Sequence, residues 1–241
     1  MATKKKAKSK ARSKTKAKSK AKAKTKPKAL PPTPAQRRHA ATILRGLEAE
    51  HPDAHCELNF TNGLELLIGT ILAAQCTDAR VNMVTEGLFR KYRTAQDYVD
   101  TPAEVLEDEI RSTGFFRNKT KSIKKACQSL VDLYSGDVPK TMDKLLELAG
   151  VGRKTANCIL ANVFDVPGIV VDTHMLRISR RMGFTEETDP VKVEFALMEL
   201  FADSDWISLS HRIPWHGRRV CSARKPQCET CGVAADCPKL L

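Results

Sequence analysis

Four cysteines near the end of the chain restrict its fold more than any other feature. The stretch CSARKPQCETCGVAADC separates Cys221, Cys228, Cys231 and Cys237 by six, two and five residues. Four thiolates at such spacings bind either a tetrahedral zinc ion or an iron–sulfur cluster. Only one C-x2-C pair is present, whereas structural zinc usually uses two. The uneven loops therefore favour a 4Fe–4S cluster over zinc, and over disulfides in an intracellular protein.

The rest of the chain has the apolar periodicity of α-helices. Runs of β-branched residues are scarce, and residues 168–171 (GIVV) are too few to anchor a sheet. Thr101 is predicted to cap one helix, and Asp172 or Thr173 another. The sequence therefore predicts an all-α fold. The predicted helices cover 35–50, 64–74, 78–92, 102–111, 119–134, 142–149, a segment from about 153, a segment to about 182, and 190–201.

Positive charge is concentrated at the N-terminus. Residues 1–28 contain 13 lysines and Arg12 but no acidic residue, so 27 of the chain's 41 cations remain to face its 28 acids. We predict that residues 1–30 are a disordered Lys-rich tail. Such a tail binds polyanions without sequence preference, or it serves as a solubilising or targeting extension. The sequence predicts neither a transmembrane helix nor a secretory signal, so we expect a soluble intracellular protein.

The stretch ELAGVGRKTA joins two predicted helices through the turn at 150–152. A nucleotide-binding phosphate loop follows a strand and has a glycine before its lysine, whereas here a helix comes first and Arg153 precedes Lys154. The alternative to that loop is a helix–hairpin–helix. Its glycines allow close approach of a ligand, and the N–H groups that open the second helix suit one phosphate of a nucleic acid. An ordinary turn between helices remains possible.

Two side chains near this turn could carry chemistry. Lys154 lies in the first turn of a helix, where the helix dipole disfavours a cation. A larger neutral fraction would follow, and the neutral amine is the form that attacks carbon to give a Schiff base. Asp172 could stabilise positive charge on a sugar ring or help to deprotonate a nucleophile. The alternatives are a surface lysine that pairs with phosphate and a plain helix cap.

Three parts of the sequence together resemble the endonuclease III family of helix–hairpin–helix DNA glycosylases. They are LAGVGRKTA, VDTH at 171–174 and the cysteine pattern, and the matches extend to ELNF at 57–60, ELLIGTILAAQCTD at 65–78 and HGRRVCSARKPQC at 216–228. The resemblance implies two helical lobes with a cleft between them. A six-helix lobe, 56–166, would contain the hairpin, and a second lobe, 31–55 with 167–241, would hold the cluster.

The resemblance also implies an activity. The protein would be a bifunctional DNA N-glycosylase and abasic-site lyase of base excision repair. It would remove oxidised or ring-saturated pyrimidines and cleave abasic sites on the 3′ side by β-elimination through a lysine Schiff base. Lys154 matches the catalytic lysine and Asp172 the catalytic aspartate. The four cysteines match the ligands of the 4Fe–4S cluster.

Further residues match positions at which the family contacts DNA. Gln75 matches a glutamine that fills the space left by an extruded base. Phe115 stands where the family places an apolar wedge between bases, although the neighbouring Phe116 leaves the identity of the wedge open. The remaining predicted DNA contacts are Gly150, Val151, Gly152, Arg153, Arg224 and Lys225.

Two alternative functions stay open at this point. One is a thymine-mismatch DNA glycosylase of the same superfamily, and the other is a non-catalytic DNA-binding protein with a redox-sensing cluster. The pairing of Lys154 with Asp172 argues against the second, because binding alone needs neither residue. The expected partner is double-stranded DNA that contains damaged pyrimidines or abasic sites. We expect a monomer without membrane attachment, in the cytoplasm at the nucleoid of a bacterium or in the nucleus of a eukaryote.

Overall fold

The computed structural model describes residues 31–240 of the 241-residue chain. The Lys-rich tail predicted for residues 1–30 lies outside the described residues. Within 31–240 the structure has α-helices and no β-strand, which confirms the all-α prediction. None of the described helices is both long and apolar enough to cross a bilayer. The helices are α1 (Pro34–Glu50), α2 (Gly63–Leu72), α3 (Asp78–Lys91), α4 (Ala95–Asp100), α5 (Ala103–Ile110), α6 (Phe116–Tyr134), α7 (Met142–Leu146), α8 (Arg153–Phe164), α9 (Thr173–Arg181), α10 (Pro190–Leu200) and α11 (Trp206–Arg219).

Two separate groups of buried apolar side chains give the helices two lobes. The first lobe is built on α2 to α8, with core residues between Leu58 and Leu160. The second lobe combines α1 with α9 to α11, because Ile43 and Leu47 of α1 share a core with residues between Ile169 and Val233. The first helix of the described chain therefore packs with the last. Between residues 56 and 166 there are seven α-helices instead of the expected six, the additional one being the short α4.

The start of α5 differs from the prediction. The helix begins at Ala103, and Pro102 stands at its N-cap without a side-chain hydrogen bond. Thr101 instead ends α4, and its hydroxyl donates to the Asp97 carbonyl at 2.9 Å. The sequence pattern missed α4 as an element of its own, so Thr101 was assigned to the wrong helix. The cap predicted at Asp172 or Thr173 forms at Asp172, which caps α9.

Helix α11 has no counterpart among the helices predicted from sequence. Polar residues interrupt its apolar stripe, because Ser210 and His216 are buried, and Pro214 lies inside the helix. The Ser210 hydroxyl donates to the Trp206 carbonyl at 2.7 Å and accepts from the Val170 N–H at 3.0 Å. It thereby fixes the extended segment that precedes Asp172. Ser210 is one of the polar residues that obscure the apolar pattern of α11, and it also holds this segment in place.

A buried ion pair joins the two lobes beside the hairpin. The Arg153 guanidinium donates to the Glu194 carboxylate on α10 at 2.6 and 2.8 Å. The Asn157 amide donates to the same carboxylate at 2.9 Å. The Glu194 side chain is only 4% exposed, so its charge depends on these partners. The Arg153 guanidinium is thus used inside the protein, while the DNA contact predicted for Arg153 stays a prediction.

We expect Arg153→Met to lower the free energy of unfolding by about 3 kcal/mol, because Glu194 would keep a buried charge without its cation. The double variant Arg153→Met/Glu194→Leu removes both charges and should regain most of that loss. Urea unfolding followed by circular dichroism measures both values. A double variant no more stable than the single variant would show that an unpaired Glu194 is not the cause.

Candidate active site

Lys154 and Asp172 meet at the cleft between the lobes. Both line a cavity of about 290 Å³, which is near the lower end of the range for small-molecule sites. Both also line an adjoining cavity of about 690 Å³. Lys154, the second residue of α8 in the first lobe, is exposed. Asp172, the residue just before α9 in the second lobe, is half-buried. The fold thus brings an amine and a carboxylate from different lobes to one cleft.

Two other basic side chains line the smaller cavity with Lys154, and neither presents a free positive charge. His211 lines the cavity, and burial lowers its pKa to about 4, so its imidazole is neutral near pH 7. Arg218 also lines the cavity, but its guanidinium pairs with Glu57 at 2.7 Å and Asp78 at 3.1 Å. These ion pairs connect α11 to the first lobe next to the site. The Arg218 charge is therefore offset by two carboxylates.

The helix cap fixes the direction of the Asp172 carboxylate. Its Oδ1 accepts the Met175 N–H at 2.7 Å, as expected of an N-cap residue. Val171, just before it, is buried in the core of the second lobe. One carboxylate oxygen is used by the cap, and the other stays available to a group in the cleft. Asp172 can therefore cap the helix and act in the cleft at the same time.

Of the two glycines in the hairpin turn, Gly150 is the one that the fold itself requires. Gly150 has a φ of +82°, and a Cβ at this position would lie 2.9 Å from the Ser122 side chain. Gly152, the N-cap of α8, has open space where a Cβ would stand. No side chain caps α8, so its first N–H groups remain available to a phosphate. Val151, predicted to contact DNA, is buried and donates its N–H to Leu148, so it anchors the turn.

Gln75 and Phe115 share an unusual backbone conformation. Both have positive φ, +54° and +47°, and both side chains are exposed, Phe115 by 63%. Non-glycine residues in this region cost about 1 kcal/mol or more, and such strain concentrates at functional sites. Phe116 is half-buried, with its ring 4.8 Å from the Arg111 guanidinium. Of the two phenylalanines, Phe115 is the one whose ring is free to enter a duplex.

One buried lysine holds both of these loops, and it is not among the predicted site residues. Lys119 is 4% exposed, and its amine donates to the carbonyls of Leu72 at 2.8 Å and Thr113 at 2.7 Å. Leu72 ends the helix before Gln75, and Thr113 lies two residues before Phe115. Burial lowers the pKa of Lys119. A sequence signal did exist, because Lys119 lies on the buried stripe of α6 one turn before Ile123.

We expect Phe115→Gly to weaken binding to lesion-containing duplex about 10-fold, because the stacking ring is lost. The same change should leave the melting temperature equal or raised, since glycine accepts a positive φ. Fluorescence anisotropy and thermal unfolding provide the two measurements. Ser135→Gly is the matched control, because Ser135 also has a positive φ but lies at the opposite end of α6 from Phe115. Unchanged DNA affinity in Phe115→Gly would argue against the wedge.

The predicted basic contacts of the cysteine loop are exposed. Arg224 and Lys225 lie at the surface and have no salt bridge within residues 31–240. Arg219, just before the loop, stacks on Trp215 and pairs with Glu57 at 3.3 Å. Arg224 and Lys225 inside the loop are therefore freer to bind phosphate than Arg219 before it.

The four cysteines line one small cavity in the second lobe, together with Arg181 and His216. No three of these sulfurs, all within the described residues, lie within 4.8 Å of one another. Zinc–sulfur bonds of about 2.3 Å would place tetrahedral ligands only about 3.8 Å apart. The four sulfurs are therefore not arranged as the ligands of a single zinc ion. The cysteines are Cys221, Cys228, Cys231 and Cys237.

Nitrogen donors surround these sulfurs. Arg181 Nη1 lies 3.5 Å from Cys221 Sγ, and His216 Nε2 lies 3.6 Å from Cys231 Sγ. The other ring nitrogen of His216 is 3.0 Å from His51, at the end of α1. Donors to ligand sulfurs are typical of iron–sulfur sites. His216 was missed in the sequence because α11 was missed, so its position relative to the cysteines could not be inferred.

Comparisons with known proteins agree with this geometry. Residues 68–203 match the family described as "HhH-GPD superfamily base excision DNA repair protein". The chain is 46% identical to endonuclease III of Synechocystis sp. over 85% of this chain and 94% of that one. It is 44% identical to endonuclease III of Bacillus subtilis over 77% and 85%. A solved structure of a trapped endonuclease III–DNA covalent intermediate, an estranged-adenine complex, superposes with a TM-score of 0.81 at 45% identity, over 84% and 96%.

Proposed function

The chain belongs to the endonuclease III family, within the HhH-GPD superfamily of base excision DNA repair proteins, and from that premise we propose its reaction. It is a DNA glycosylase and abasic-site lyase that removes oxidised or ring-saturated pyrimidines. The observation that carries this proposal is the convergence of Lys154 and Asp172, from different lobes, on one cavity. The covalent DNA complex of a relative supports an attacking amine.

Binding begins with the DNA backbone. The open N–H groups of α8, beyond Gly152, hold one phosphate, and Arg224 and Lys225 attract others. The damaged nucleotide rotates out of the duplex towards the cleft. Gln75 fills the space it leaves, and Phe115 enters between neighbouring bases. Unstacking costs a few kcal/mol, which the backbone contacts offset.

The chemistry then follows from the two residues of the cleft. The Lys154 amine attacks the sugar C1′, the bond to the base breaks, and the base leaves with the bonding electrons and a proton. Asp172 stabilises the positive charge that develops on the sugar and helps to take the proton of the amine. Opening of the ring gives a Schiff base between Lys154 and C1′. The imine acidifies C2′, and loss of that proton expels the 3′ phosphate oxygen.

A panel of duplexes tests the substrate class. Oxidised and ring-saturated pyrimidines and an abasic site are each placed opposite every base, and a G·T mismatch is included. We expect excision from the damaged pyrimidines and nicking at the abasic site. Excision of thymine from the mismatch alone would support the thymine-mismatch alternative. Binding without excision or nicking would support the non-catalytic alternative.

We infer that the four cysteines hold a 4Fe–4S cluster, which would fold the loop that carries Arg224 and Lys225. We expect brown protein with about four iron and four acid-labile sulfide per chain. Cys228→Ala should lose the iron and the colour, whereas Cys127→Ala, in the core of the first lobe, should keep both. Elemental analysis and visible absorbance measure this. Colourless protein with one zinc per chain would contradict the cluster.

Both halves of the proposed site come from one chain, so we infer that a monomer suffices for activity. The substrate determines the location of the enzyme. We infer that it acts at the chromosome, which is the nucleoid if the protein is bacterial and the nucleus if it is eukaryotic.

A further inference from the structure

Two cysteines outside the cluster face the same cavity as the proposed catalytic residues. Cys56 and Cys158 are half-buried free thiols, and both line the 290 Å³ cavity with Lys154 and Asp172. Cys158 lies four residues after Lys154 on α8, and therefore on the same helix face one turn further on. Cys56 lies in the segment between α1 and α2. The two thiols thus lie on separate walls of one cavity.

The two thiols also interact with each other. A contact with the Cys158 thiol lowers the pKa of Cys56, and the Leu58 N–H acts in the same direction against the effect of burial. The same contact, followed by burial, raises the pKa of Cys158. Cys127 contrasts with this pair, because burial raises its pKa to about 12. The more reactive sulfur of the pair is therefore Cys56, since the thiolate is the nucleophile.

We propose that Cys56 and Cys158 are a modification site that peroxides oxidise to a disulfide, and that this disulfide closes the cavity to an extruded nucleotide. The statement that the cavity receives a nucleotide rests on the proposed function. The oxidation of the two thiols does not, because it depends only on their position in one cavity.

The reaction is a two-electron oxidation. The Cys56 thiolate attacks one oxygen of hydrogen peroxide, the O–O bond breaks, and a sulfenic acid and a hydroxide form. The Cys158 thiol attacks the sulfenic sulfur, the S–S bond forms, and the S–OH oxygen leaves as water. The hydroxide takes the proton that Cys56 had released. The two thiols lose two electrons, and one peroxide becomes two waters.

The disulfide would alter the cavity through the chain that carries Cys56. The next residue, Glu57, pairs with Arg218 at 2.7 Å and with Arg219 at 3.3 Å. Bond formation draws residues 56 and 57 towards α8, across the space beside Lys154. It also pulls Glu57 away from the arginines that join α11 to the first lobe. The oxidised cavity is therefore narrower, and the reduced cavity returns when a thiol reductant cleaves the bond.

Peptide mapping of the full-length protein tests the modification directly. Reduced protein is exposed to equimolar hydrogen peroxide, remaining thiols are alkylated, and the protein is digested with trypsin. We expect a cross-link between peptides 46–80 and 155–177. Peptide 46–80 also contains Cys76, so fragmentation must assign the bond to Cys56. Alkylation of both Cys56 and Cys158 after peroxide treatment would overturn the proposal.

Activity tests the closure, with each protein compared with itself before and after peroxide. In the wild type we expect the excision rate to fall about 10²-fold, to recover with dithiothreitol, and to change without loss of iron. Cys56→Ser and Cys158→Ser should form no cross-link and lose no activity on oxidation. Cys76→Ser, the matched control, should behave as the wild type. A cross-link that leaves the rate unchanged would overturn the closure. Reduced protein inactive on every lesion would refute the proposed function, while the cross-link would still be measurable.

Discussion

Borohydride should trap wild-type protein on abasic DNA as a covalent adduct, and Lys154→Ala should give none. The imine between Lys154 and C1′ is the species that borohydride reduces, so the adduct disappears with the amine. The rate of strand nicking should fall roughly 10³-fold, because the covalent route is lost as a whole. Denaturing gel electrophoresis measures the adduct, and single-turnover assays measure the rate.

Two further variants make this result specific. Lys154→Arg keeps the positive charge in the cleft but cannot form the imine, so it should bind DNA and give no adduct. Lys91→Ala removes an exposed lysine that pairs with Glu109 in the first lobe, and its adduct yield should match the wild type. An adduct of unchanged yield in Lys154→Ala would refute the assignment of the nucleophile.

Asp172→Asn should lower the rate of base excision by about 10²-fold or more while leaving the melting temperature unchanged. Asparagine caps helices as well as aspartate does, so the hydrogen bond to the Met175 N–H can be retained. What the variant lacks is the negative charge that stabilises the developing cation in the cleft. Single-turnover excision kinetics and thermal unfolding separate the two effects.

Comparison with other caps sharpens this test. Asp189 caps α10 in the same way, accepting the N–H groups of Val191 and Lys192, but it lies outside both cavities. Asp189→Asn should therefore keep the wild-type rate. Asp172→Ala should lose the rate and also about 1 kcal/mol of stability, because the cap is removed. Equal rates for Asp172→Asn and the wild type would mean that Asp172 serves only as a cap.

Local patterns in the sequence were sufficient for the helical fold class and for the elements with regular apolar stripes. They failed for α4, which is short, and for α11, whose buried face carries Ser210 and His216. The tight turn of the hairpin forms at Gly150, which has a positive φ, because a glycine turn is decided by the residues in it. The same holds for the Asp172 cap, which needs only the N–H groups three residues on.

Long-range contacts decided the rest. From sequence, Arg153 and Val151 belong to a DNA-binding turn, but the fold pairs Arg153 with Glu194, 41 residues later, and buries Val151 in a core. Lys119 became a brace for two loops only when α2 and α6 were packed together. The cysteine spacing allowed zinc or a cluster, and the fold brings the four cysteines to the wall of one cavity. Sequence spacing fixes which groups one helix turn can bring together, whereas contacts between lobes depend on how the whole chain packs.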